Sequence, residues 1–204
     1  MKLLFNKLTL IAKLANPIVF AYLLIACEAI LPKAVENRDH KPFFDVETFI
    51  KTQIELLNEY KPKIAKKLKI NDMYDSITTR KVNWNKELAI FLQADINKPA
   101  WKNSFNKQEQ KNNWGTQITY QATEKQVPVQ KLTILVDTPR QNIISLEAIL
   151  LKDNYFYVSE KKISFKSKKF AQNRYMLVEY AMSGYQRISF FGKETYSFQA
   201  VIIH

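Results

Sequence analysis

Histidine, cysteine and glycine are scarce in this sequence, and each scarcity removes a class of chemistry. There are two histidines in 204 residues, His40 and the terminal His204. Neither sits where packing would fix its ring, so a Ser-His-Asp triad or a Cys-His pair has no positioned base. One cysteine, Cys27, excludes an intramolecular disulfide, and the fold must be held by its core alone. The same shortage excludes a zinc site built on His and Cys. Three glycines, Gly115, Gly184 and Gly192, cannot build a phosphate-cradling loop. No apolar run reaches the roughly 20 residues that a membrane-spanning helix needs. Carboxylates remain: Glu147, Glu160, Glu179 and Glu194 stand in or beside strand-like stretches. A glycosidase needs two such groups converging in a cleft, and strand carboxylates are mostly solvated. The expectation is a protein that is not an enzyme and that uses no cofactor and no metal.

The N-terminus is the most informative stretch. Residues 1–13 carry Lys2, Lys7 and Lys13 and no acid. Residues 14–26 are apolar except for Asn16 and Tyr22, with Pro17 as the one helix-unfriendly residue. A basic start, an apolar core of about 7–15 residues and a small residue before the cut make a secretory signal pattern. The run has 13 residues, and Lys13 stops its extension to the left, so a retained transmembrane anchor is the weaker alternative. The run closes on Leu24-Ile25-Ala26-Cys27. This tetrapeptide resembles the lipobox of bacterial lipoprotein precursors: an aliphatic residue, a small or aliphatic one, Gly or Ala, then Cys. The resemblance implies diacylglyceryl transfer to the Cys27 thiol, cleavage between Ala26 and Cys27, and acylation of the new amino group. Each buried methylene contributes about 0.8 kcal/mol, so one chain holds marginally and two or more hold stably. Glu28 follows the cysteine, where some lipoprotein systems use Asp to retain the product at the inner membrane. The resemblance therefore implies a cell-envelope protein of the outer membrane. The plain alternative is a buried cysteine at the end of a signal. The rest of the chain is similar to small outer-membrane lipoproteins with an α+β domain, without a motif of its own.

Residues 1–26 thus read as a signal peptide, 27–42 as a flexible tether of mixed small, charged and Pro residues, and 43–204 as a single α+β domain. The whole chain has 31 Lys+Arg against 19 Asp+Glu. Three of the 31 lie in the signal, which leaves 28 against 19, a net charge of +9. A basic surface suits an anionic lipid or glycan partner. Nucleic acid is not expected, because the chain is exported. The bland alternative is a lysine-rich solvated surface that keeps the domain soluble.

Within the domain, residues 45–60 read as a helix capped by Asp45, with Val46, Phe49, Ile50, Ile54 and Leu57 on one face. Pro62 ends it. Residues 62–82 read as a hairpin turning at Asn71-Asp72. Its first strand holds Lys63, Lys66, Lys67 and Lys69. These four suit either an edge strand, where lysine discourages further pairing, or a strip that docks on an anionic membrane. Residues 83–96 read as a second helix with Trp84, Leu88, Phe91 and Leu92 as its stripe. Residues 98–113 read as a long polar loop in which Trp101 and Phe105 either contact a ligand or partner or pin the loop to its own domain. From residue 114 onward the sequence reads as strands only: 114–123, 127–136, 142–151, 155–165, 175–182, 185–191 and 195–203. The expected fold is α+β, an antiparallel meander sheet, open, curved or half-barrel, covered by two N-terminal helices. Two functions fit it. One is a structural or interaction module of the envelope; the other is a carrier holding a lipid or other apolar ligand in the hollow of a curved sheet.

Overall fold

The computed structural model describes residues 41–137, 142–170, 174–188 and 192–203. Ala26, Cys27 and the tether up to His40 lie outside the described residues. Lys41–His204 forms one compact unit.

Its first element is α1, Val46–Tyr60. The Asp45 carboxylate accepts from the Thr48 amide at 2.9 Å, which satisfies one of the first-turn donors. At the other end Lys61 turns left-handed at φ 44°, its amide bonds Leu57 O, and Pro62 follows. The strands β1 (Lys63–Ile70) and β2 (Met73–Thr79) form the expected hairpin around Asn71, at φ 50°. A short helix α2, Trp84–Glu87, leads into 3₁₀ turns at Ala89–Ala94 and Pro99–Trp101. Then come β3 (Phe105–Asn112), β4 (Gly115–Ala122), β5 (Val129–Asp137), β6 (Asn142–Asp153), β7 (Tyr157–Lys169), β8 (Tyr175–Ile188) and β9 (Gly192–Ile203). All nine pair antiparallel in one open sheet of order β2-β1-β9-β8-β7-β6-β5-β4-β3.

One face of this sheet carries the core. Ile64, Ala200, Tyr180, Phe165, Leu146, Ile134 and Tyr120 point to it from seven neighbouring strands, all nearly or fully buried. The helical segment lies on that face through Val46, Ile50, Leu57, Trp84, Leu88 and Phe91. Phe91 stacks edge-on against Phe165 and Tyr180, with ring centroids 5.6 and 6.1 Å apart. A register shift between Lys166 and Ser167 interrupts the β7–β8 ladder. There Gln53 of α1 bonds Tyr175 O at 3.0 Å and accepts from the Leu177 amide at 2.9 Å. A polar side chain is buried at the bulge because the bulge leaves backbone groups that need partners.

Several expectations need correction. The second helix keeps its first turn only; after Glu87 the chain tightens to 3₁₀ geometry, though Trp84, Leu88 and Phe91 still face the core. The polar loop at 98–113 is mostly the edge strand β3. Its run Lys107-Gln108-Glu109-Gln110-Lys111 is solvated on both faces and so lacks apolar alternation. β1 is not at the edge, since β2 and β9 flank it. Residues 175–188 are one strand, not two meeting at Ser183-Gly184. A Cβ at Gly184 would lie 2.2 Å from Glu160 O and 2.9 Å from the Tyr196 hydroxyl. That glycine permits a close approach inside a strand rather than a turn.

Candidate functional site

Odd and even positions of each strand face opposite sides of the sheet. On β1 the even positions, beginning with buried Ile64, face the core, and in register with them stand Ala200, Phe198 and Tyr196 of β9 and Tyr180 and Met182 of β8. The odd positions of β1, β9 and β8 share the outer face. On that face a trough of about 750 Å3 runs across β2, β1, β9 and β8. Ala181, Ser183 and Ser197 form its floor, and Lys67, Lys69 and Tyr74 its wall. The floor is low because register places small residues side by side: Ser183 pairs with Ser197, and Ala181 with Gln199.

The charges of the trough decide what it can hold. Among the described residues neither Lys67 nor Lys69 forms an ion pair. Lys69 lies over the Tyr74 ring, 4.9 Å from its centroid, and contact with the Tyr74 hydroxyl raises its pKa. Tyr74 itself is 74 % exposed. A second outer trough of about 790 Å3 is lined by Glu147, Lys166, Lys168, Lys169 and Glu179. There Lys166 meets Glu179 at 3.3 Å, and Lys162 meets Glu147 at 3.1 Å. The first trough is the one whose lysines, Lys67 and Lys69, stand together with serine hydroxyls and the exposed Tyr74 ring, and Asp75 is its one carboxylate.

The four lysines of β1 do not act as a set. Lys63, Lys67 and Lys69 share the outer parity, but Lys63 pairs with Ile203 at the opposite end of the strand. Lys66 faces inward and is tied to the Glu87 carboxylate, which also accepts from the Tyr180 hydroxyl. Burial, reinforced by that carboxylate, pushes the Tyr180 pKa well above the usual phenol range. Trp101 and Phe105 are half-buried and pack against the core. The Lys98 ammonium lies 4.5 Å from the Trp101 ring, and Phe105 meets Phe43 edge-on at 5.6 Å. The hydroxyl floor was not visible in the sequence, because Ser183 and Ser197 meet only through the β8–β9 register.

The inner hollow is largely filled by α1 and residues 84–96. A cavity of about 310 Å3 remains beside α2, lined by Lys86, Glu87, Ile90, Tyr180, Met182 and Phe198. Among the described residues no group of three or more His, Cys, Asp or Glu could hold a metal. No helix of the described residues is long and apolar enough to cross a membrane. Compared with known proteins, the chain matches no family model, no curated protein and no solved structure.

Proposed function

We propose that the chain is a non-enzymatic, lipid-anchored protein of the cell envelope, held at the outer membrane through Cys27, whose folded unit is an interaction module for an anionic partner. The anchor rests on the position of Leu24-Ile25-Ala26-Cys27 against the apolar run. The observation that carries the second half is the outer trough, where Lys67 and Lys69 stand beside serine hydroxyls and Tyr74, with Asp75 as the one carboxylate of the lining. Ammonium groups attract phosphate, sulfate or carboxylate, and hydroxyls add hydrogen bonds that such oxygens accept. Each lysine near an anionic surface contributes about 1 kcal/mol, fading beyond a Debye length of about 8–10 Å.

The anchor is tested by mass spectrometry of the membrane fraction. The wild type carries an acyl mass on Cys27 and Cys27→Ala does not; an unmodified wild type sinks the anchor. The trough is tested with the full chain in neutral detergent. One arm is elution from a dextran sulfate column, the other association with micelles containing phosphatidylglycerol. Lys67→Gln with Lys69→Gln weakens binding in at least one arm by about tenfold or more, as loss of about 2 kcal/mol implies. The pair Lys111→Gln with Lys125→Gln, equal in charge change, has a small effect. Equal loss from both pairs would mean that net charge alone is sensed.

One observation favours a second reading, the carrier. The inner cavity has an apolar side in Ile90, Met182 and Phe198 and a polar end in Glu87 and Lys86. At about 310 Å3 it stands at the lower limit of ligand pockets, about 300–1,000 Å3. A lipid that co-purifies in native mass spectrometry supports it.

A further inference from the structure

Three hairpins that are neighbours in the sheet turn at the same end of it. Ile70 pairs with Met73, Ile188 with Gly192, and Asp153 with Val158. In the strand order these are β1–β2, β9–β8 and β7–β6. Their tips expose large apolar side chains: Tyr155 at 87 %, Tyr74 at 74 %, Met73 at 70 % and Phe156 at 63 %, with Ile188 and Ile70 at 40 % and 37 %. Six of the eleven large apolar residues exposed among the described residues are thus gathered at one end. Trp114 stands alone in the β3–β4 turn at the other.

Around these tips the cations outnumber the acids on the outer face. The outer face of the two hairpins β1–β2 and β8–β9 carries Lys67, Lys69, Arg187 and Lys193 near its tips. Lys193 lies over the Tyr185 ring at 4.2 Å. Two acids share that face on the neighbouring strands, Asp153 of β6 and Glu160 of β7, the latter opposite Tyr185. Asp72 is in the turn, and Asp75 and Glu194 have the inward parity, Glu194 accepting from Gln186.

We infer that this end of the sheet enters the headgroup region of an anionic lipid bilayer. Met73, Phe156, Ile70 and Ile188 reach the acyl boundary, and Lys67, Lys69, Arg187 and Lys193 lie along the lipid phosphates. The inference rests on the anionic-partner reading of the trough and names that partner. Three features select a bilayer over a protein. The apolar groups stand on separate tips spread across several strands, each about 4.8 Å from the next, rather than forming one flat patch. A fluid surface admits separate tips, whereas a protein interface needs a close-packed core. Tyrosine at such a border keeps its hydroxyl among headgroups and its ring below them. Cations flanking exposed apolar residues give the combined electrostatic and apolar attraction that interfacial binding uses.

The full chain carrying Phe156→Trp, or separately Met73→Trp, is mixed with vesicles of phosphatidylcholine with and without phosphatidylglycerol. Both contain lipid brominated on its acyl chains close to the carbonyl. The wild type, with tryptophans at 84, 101 and 114, is the background. The expected result is extra quenching and a blue shift from each added tryptophan in phosphatidylglycerol vesicles. Lys67→Gln with Lys69→Gln on the Phe156→Trp chain reduces that quenching severalfold, and circular dichroism confirms that the variants are folded. No extra quenching from either tip overturns the insertion. The dextran sulfate elution of the same lysine variants is a separate readout, so the trough reading can survive that failure or fail by itself.

Discussion

Gln53 is 3 % exposed and is the polar side chain that α1 places in the core. Its amide meets a carbonyl and an amide of β8, 122 and 124 positions away in the sequence. Replacing it by Leu keeps the volume but removes the bonds to Tyr175 O and the Leu177 amide. A buried unsatisfied group costs about 1–3 kcal/mol, so Gln53→Leu should lower stability by about 2–4 kcal/mol in urea unfolding. A loss under about 0.5 kcal/mol would mean that the bulge finds other partners. Glu87 makes a similar long-range link, joining Lys66 and Tyr180. Because the folded Tyr180 pKa is raised, the folded state holds its proton more tightly than the unfolded chain. That contribution is fully present below the ordinary phenol value of about 10 and is lost as pH rises above it. Stability should therefore fall with pH in the alkaline range, and Tyr180→Phe should flatten that slope as measured by unfolding at several pH values. Neither link was legible in the sequence. Lys66 does break the apolar parity of Ile64, Leu68 and Ile70, but nothing near it or near Gln53 in the sequence names their partners on distant elements.

The elements differ in how plainly the sequence announces them, and the difference is physical. α1 shows its cap, its apolar period and its proline stop, and it forms as read. The β1–β2 hairpin follows from alternation and from Asn71, which tolerates the left-handed turn. β3 is hidden because an edge strand exposed on both faces has no alternation to show. The stretch after Glu87 keeps a helix-like stripe while its geometry tightens, because the stripe records burial and not hydrogen-bond spacing. Burial also divides the two phenylalanines that looked equivalent. Phe91 is fully buried among Phe165 and Tyr180, whereas Phe49 is half-buried, 5.0 Å from the Phe165 ring. Phe91→Ala should cost about 3–5 kcal/mol through lost transfer energy and a cavity, and Phe49→Ala distinctly less. Equal costs in chemical denaturation would place the helical layer differently on the sheet. At the helix start, Asp45→Ala should cost about 0.5–2 kcal/mol, the range for lost N-caps.

At the scale of the whole molecule, the first strand of the sheet bonds to the last. Lys63 pairs with Ile203 and Ile70 with Tyr196, so the N-terminal hairpin joins the meander only through β9. The same arrangement assembles the candidate trough and gathers the apolar tips, because β2, β1, β9 and β8 become neighbours only when chain ends meet. The sequence showed a meander and a hairpin; it held no local signal for their union, which depends on Ile64, Ala200 and Tyr180 meeting on one face. This closure makes the fold non-local, and β9 becomes the strand whose loss should be felt everywhere. Val201 of β9 stands opposite Ala65 of β1 and Glu179 of β8. Proline there removes a ladder donor from an interior strand and fixes φ away from the usual strand value. Val201→Pro should therefore cost about 3 kcal/mol or more out of a typical 5–15 kcal/mol. The informative readout is hydrogen exchange across the unit. A cooperative molecule loses amide protection in β5–β7 together with β1 and β2. Protection that falls only in β1 and β2 while β5–β7 keep theirs would show that the meander stands by itself and that the hairpin is a separable attachment.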